Sequence, residues 1–105
     1  MAGTVLTAGV VACTAVFAAG LVTAGAGTVF GQRLAGVADA AALAAADAAS
    51  GAVTGTPCER AAQVAAIGGA SIARCDLDDL VATIVVTAPF GRLTATAAAR
   101  AGPAP

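Results

Sequence analysis

The sequence predicts an α+β, membrane-anchored chain: a long N-terminal helix, a second short helix and a small antiparallel sheet. Three observations lead there. No charged side chain precedes Arg33. An alanine-dominated stretch with no breaker follows as far as Ser50-Gly51. Beyond it come one marked helix start at Thr56-Pro57 and a β-branched run, Leu80 to Ala88. The organisation divides into a membrane-spanning helix (1–32), its extracytoplasmic continuation (33–50) and a small α+β tail (51–105).

The stretch Thr4 to Phe30 exceeds the roughly 20 apolar residues that a spanning helix needs. A soluble core helix of this length would carry a polar face at helical spacing, and only five threonines interrupt this one. Threonine hydroxyls can bond back to a carbonyl one turn earlier, so lipid tolerates them. Ala24-Gly25-Ala26 has the small-x-small form of a signal cleavage site, which gives the rival reading of a secreted module. Against it, the run outlasts the apolar core of a signal, about 7–15 residues, and no basic residue precedes it. The missing basic flank fits a start displaced from the native one. Gly27 and Gly31 have GxxxG spacing, with Gly20, Thr23 and Ala24 adding small neighbours for helix packing in lipid. In a chain so rich in Ala and Gly the motif also arises by chance.

Leu34 to Ala49 is built mainly from Ala, the best helix former, and is expected to continue the first helix into water. A helix from Thr4 to Ala49 would be roughly 70 Å long, about twice the hydrocarbon thickness. The continuation is thus expected to be a stalk that lifts the tail clear of the lipid. After a break at Gly51 to Thr56, the Thr56-Pro57-Cys58-Glu59 sequence has the form of a capping box with Pro at the first helical position. Ala61, Ala62, Val64, Ala65 and Ile67 supply the apolar face, and Gly68-Gly69 ends the helix. Strands are expected at Ala70 to Cys75, Leu80 to Ala88 and Leu93 to Ala99. Asp76 to Asp79 and Phe90 to Arg92 form the turns, Pro89 stops the middle strand and Arg100 ends regular structure.

Cys13 falls in the apolar span as a small hydrophobe. Cys58 and Cys75 are separated by one short helix going out and one short strand coming back. About 15 Å of helix against 17–20 Å of strand brings their ends together, as a disulfide requires. Such a bond places the tail in an oxidising compartment outside the membrane, with the N-terminus inside. The alternative is two unpaired thiols in a cytosolic protein. Arg33, the cation nearest the span, would then lie outside, mildly against the positive-inside tendency.

Catalysis and cofactors are not expected. The chain has no histidine, all five of its cations are arginine, and no glycine loop cradles phosphate. Two thiolates do not complete a zinc site. Asp76, Asp78 and Asp79 do not continue into a calcium loop, because Val81 and Thr87 stand where a Gly and a bidentate Glu are required. A net charge of −1 with no basic patch argues against nucleic acid. Nothing in the sequence calls for a small-molecule substrate.

Several pieces occur in order: Gly3-Thr4-Val5-Leu6, Ala38-Asp39-Ala40-Ala41-Ala42-Leu43, Cys58-Glu59-Arg60-Ala61-Ala62-Gln63, Gly68-Gly69-Ala70 with Cys75, and Ala99-Arg100-Ala101-Gly102-Pro103. In that order and spacing the chain resembles the actinobacterial TadE-like proteins, small relatives of the TadE/TadG pilus-assembly family. The resemblance implies a pseudopilin-like component of a tight-adherence (Flp-type) pilus or related secretion system. Its partners would be the membrane and other assembly proteins or pilin subunits, met through the N-terminal helix. The first glutamate is Glu59, far from the helix start where many pilin-like proteins carry one. An accessory membrane role is therefore as much expected as entry into a filament.

Overall fold

The computed structural model describes residues 2–104; Met1, Pro105 and the side chains of Thr23 and Ala24 lie outside the described residues. The expectations that rest on those positions are the displaced start, the Thr23 and Ala24 packing neighbours and part of the cleavage site. The element order is α1 (Ala2–Ala49), α2 (Pro57–Ile67), β1 (Ser71–Asp78), β2 (Val81–Phe90) and β3 (Leu93–Ala101). The strands form one antiparallel sheet in the order β1-β2-β3. The α+β arrangement is as the sequence predicts.

Helix α1 runs unbroken for 48 residues, and the longest dimension of the molecule, 76 Å, is essentially its length. Two of its threonines take the form lipid tolerates: Thr7 donates to the Gly3 carbonyl at 2.8 Å and Thr14 to that of Val10 at 2.9 Å. The helix ends in a Schellman turn at Gly51, with φ +80°. There the Gly51 N–H donates to the Ala48 carbonyl and that of Ala52 to Asp47.

Helix α2 has the predicted bounds and closes in the same way. The N–H of Gly69, at φ +77°, donates to the Ala66 carbonyl, and that of Ala70 to Ala65. The predicted capping box does not form, since Thr56 holds the N-cap position without a side-chain cap bond. The apolar face is also narrower than predicted: Ala61 and Ala65 are buried, Ala62 is exposed, and Ile67 is 88 % exposed.

The sheet begins β3 at Leu93 as expected and differs from expectation at the other strand ends. β1 continues through Asp76, Leu77 and Asp78, so the first turn is only Asp79-Leu80, with Asp79 at φ 57°. Asp76 and Leu77 alternate between the solvated and core-facing sides, and one solvated face is enough for a charged residue to remain in an antiparallel strand. Pro89 lies inside β2 and pairs with Thr94 of β3. Its missing N–H is tolerated because β1 ends opposite Thr87, which leaves that side of β2 unpaired. The second turn is Gly91-Arg92, and β3 runs on through Arg100 to Ala101.

The core lies between the second half of α1 and the tail. Leu34, Ala38, Ala41, Ala42, Ala45 and Ala46 form a stripe at helical spacing, all buried. It packs against Ala61 and Ala65 of α2 and Ala82, Ile84, Val86 and Ala88 of β2. The tail is therefore docked along the helix, with α2 and β2 running back antiparallel to it. The expected stalk is thus covered by the tail, which reaches back to the end of the apolar segment. Phe90, at the β2–β3 tip, stacks on Phe30 with ring centroids 4.6 Å apart. Small residues set the spacing: a Cβ on Gly68 would lie 2.6 Å from Val37 Cγ2. We expect Gly68→Ala to lower stability by about 1–3 kcal/mol through overpacking, and Val37→Ala in the same chain to recover most of the loss. Denaturant unfolding of the detergent-solubilised protein measures both.

Candidate functional site

Two features stand out. One is the uncovered apolar half of α1; the other is the covalently closed tail that packs against the remainder.

From Val5 to Val22 the large apolar side chains of α1 point outward without cover: Val5, Leu6, Val16, Phe17 and Leu21 are each more than 70 % exposed. Among the described residues, α1 is the one helix long and apolar enough to cross a membrane. No part of its most apolar stretch is buried by the rest of the chain, which separates it from the core helix of a soluble protein. Cys13 is a free thiol on this surface.

Gly27 and Gly31, singled out for GxxxG spacing, differ in surroundings. A Cβ on Gly27 would lie 4.0 Å from the Phe90 ring, so this glycine faces the chain's own tail. Around Gly31 nothing approaches within 4 Å, and that side is open.

Cys58 and Cys75 form a disulfide with Cα atoms 6.0 Å apart. Cys58 sits in the first turn of α2 and Cys75 on the core-facing side of β1, opposite Ile84 of β2. The strand passes the cysteine by three residues, so the bond clamps its middle. It ties the start of α2 to an edge strand and closes a 17-residue separation. A second clasp escaped the sequence reading. Arg60 donates from Nε to the Thr54 carbonyl at 2.8 Å and reaches Gln63 Oε1 at 3.4 Å, gathering the loop between the helices. Its signal was the run Gly51 to Thr56, which lacks regular structure and so offers carbonyls to a nearby donor; Gly55, at φ +119°, lies against the guanidinium.

The acidic residues do not converge. Asp76 pairs with Arg74 on the solvated face of β1, while Asp79 turns the hairpin. Among the described residues no group of three Asp, Glu, Cys or His could hold a metal. On the outer sheet face, Arg100 donates to Thr83 Oγ1 at 3.2 Å across the β2–β3 pairing. A shallow groove between α1 and the tail is lined by Phe30, Arg33, Leu34, Val37, Gly68 and Ala88, with no paired acid and base.

The fold and these features define a class of architecture: a single long helix, apolar and bare in its first half, carrying a disulfide-closed α+β tail on its second. No known protein family, curated protein or solved structure matches the chain.

Closing the Cys58–Cys75 loop is worth about 3 kcal/mol in the chain-entropy account. We expect the Cys58→Ser, Cys75→Ser double variant to lose stability of that order in the tail. Urea unfolding would show it, with the unsubstituted protein moving to the same midpoint on addition of a thiol reductant.

Proposed function

We propose that this chain is a non-catalytic, single-pass membrane protein acting as a structural, pseudopilin-like component of an Flp/tight-adherence pilus assembly or related secretion system. Its N-terminus lies in the cytoplasm and its tail outside. The observation that carries this reading is the division of α1. The first half presents bare apolar surface of a length that fits a bilayer, and the second half is the central element of the folded tail. A helix continuous through both fixes the tail rigidly to whatever the apolar half enters. The disulfide supports an oxidising location for the tail. The resemblance to TadE-like proteins supplies the pilus or secretion setting. The partners are then the membrane itself and other assembly proteins or pilin subunits that pack against the open side of the apolar helix, Gly31 included.

A second reading is favoured by one observation. The buried core contacts of α1 all come from Leu34 onward, with Phe30 packed against their edge and Gly27 against Phe90. Cleavage near Ala26 would therefore leave the core of the tail whole and release a small binding or effector module.

Cell fractionation and intact-mass measurement separate the two. For the assembly component, the protein stays in the membrane pellet through alkaline carbonate extraction, retains residues 4–30 and copurifies with other membrane proteins of the apparatus. Recovery as a soluble species beginning near residue 27 would overturn that reading in favour of the released module.

A further inference from the structure

The β2–β3 hairpin tip has an unusual composition for the end of a solvated sheet. Phe90 and Leu93 pair opposite each other across the Gly91-Arg92 turn, so both side chains share the face of the sheet directed at α1. Farther along that face Ile84, Val86 and Ala88 are buried. At the tip the cover runs out, and Leu93 is 71 % exposed although it stands on the core side. Phe90 fixes the position of the tip by stacking on Phe30 and touching the Gly27 position.

The location follows from the helix rise. The apolar run from residue 4 to residue 30 is roughly 40 Å long. That exceeds the hydrocarbon thickness of about 30 Å and fits the 40–45 Å that includes both headgroup layers. In a bilayer centred on that run, with the tail outside, Gly27 to Phe30 and the tip packed on them fall in the outer headgroup layer. Charge has the same polarity. Arg33, one turn beyond Phe30, and Arg92, in the turn itself, are both exposed and have no acidic partner among the described residues. Most acids lie away from them: Asp47 and Glu59 flank the loop that joins the two helices, and Asp78 and Asp79 occupy the opposite turn of the sheet. Arg60, Arg74 and Arg100 offset part of the charge there. Asp39 alone stands nearer, about two turns beyond Arg33.

We propose that the β2–β3 tip is a second membrane contact, with Phe90 and Leu93 entering the interfacial layer and Arg33 and Arg92 meeting lipid phosphates. Apolar side chains flanked by arginine at this depth suit an interface in which rings and acyl chains mix with phosphate groups. The inference rests on the membrane-spanning reading of α1. It adds that the tail lies against the bilayer at a fixed height, with its acidic end facing away.

The test uses the full chain in phosphatidylcholine/phosphatidylglycerol vesicles, with the disulfide intact and Cys13→Ala removing the free thiol. Single substitutions Val16→Cys, Leu93→Cys and Ile67→Cys receive an environment-sensitive fluorophore, and spin-labelled lipids act as quenchers. Ile67 is the control, being an exposed apolar residue beside Gly68 at the height of Val37, roughly 10 Å beyond Phe30. We expect a blue-shift and loss of fluorescence for the Val16→Cys and Leu93→Cys labels, with the Ile67→Cys label remaining as in water. If the Val16→Cys label is quenched and the Leu93→Cys label is not, the tip contact is overturned while the anchor stands. Equal quenching at Leu93→Cys and Ile67→Cys also overturns it, because the tail would then lie on its side. An unquenched Val16→Cys label overturns the spanning reading and the tip contact together.

Discussion

The contact on which the rest of this structure depends is the seam of small side chains between the second half of α1 and the tail. Ala38, Ala41, Ala42 and Ala45 are fully buried there, facing Ala61 and Ala65 of α2 and the inner face of β2. Alanine lets backbones approach closely, and the fit at Gly68 against Val37 shows how little room is left. The same smallness limits the stabilisation, because burial contributes in proportion to apolar area, about 25 cal/mol per Å². Ile84 and Val86 are the largest fully buried side chains among the described residues. A core this thin needs reinforcement, and the Cys58–Cys75 bond sits where the least packed element, the edge strand β1, would otherwise separate from α2.

That seam also determines where the tail stands. Because α2 and β2 return antiparallel to α1, the tail occupies the helix from Phe30 to Ala46 and does not stand beyond its end. Its two ends consequently differ in chemistry. One carries Phe90, Leu93, Arg33 and Arg92 beside the start of the apolar surface; the other carries the acidic turn at Asp79 and the chain's C-terminal residues. The disposition comes from the direction of packing alone.

Much of this was legible in the sequence, and the exceptions share a cause. The bounds of α2 follow from Pro57 and the Gly68-Gly69 pair because those residues have backbone consequences independent of context. The disulfide was legible because helix rise and strand rise nearly cancel between Cys58 and Cys75. The buried stripe of α1 was not, since almost every candidate position holds Ala and uniform composition has no period to read. Asp76 and Asp78 suggested a turn by type, yet a strand with one solvated face accommodates them. Pro89 and Ile67 were misplaced for a related reason: each depends on where a neighbouring element stops. The Phe30–Phe90 contact could have been suspected only from the scarcity of aromatics, three in the whole chain.

Continuity of α1 is what converts this packing into a functional constraint. Between the bare segment and the docked segment there is no proline and no break in the helix, although Gly31 and Gly36 lie near the junction. A tail seated on such a helix cannot move independently of it, so a partner that grips the apolar half also sets the height and rotation of the tail. Conversely, the seam by itself is indifferent to what happens before Gly27, because the buried contacts begin later. The folded part would be the same whether the N-terminal half is kept or removed. What distinguishes an anchored assembly component from a released module is therefore the fate of the uncovered surface from Val5 to Val22, whose exposure to water is the one arrangement its side chains disfavour.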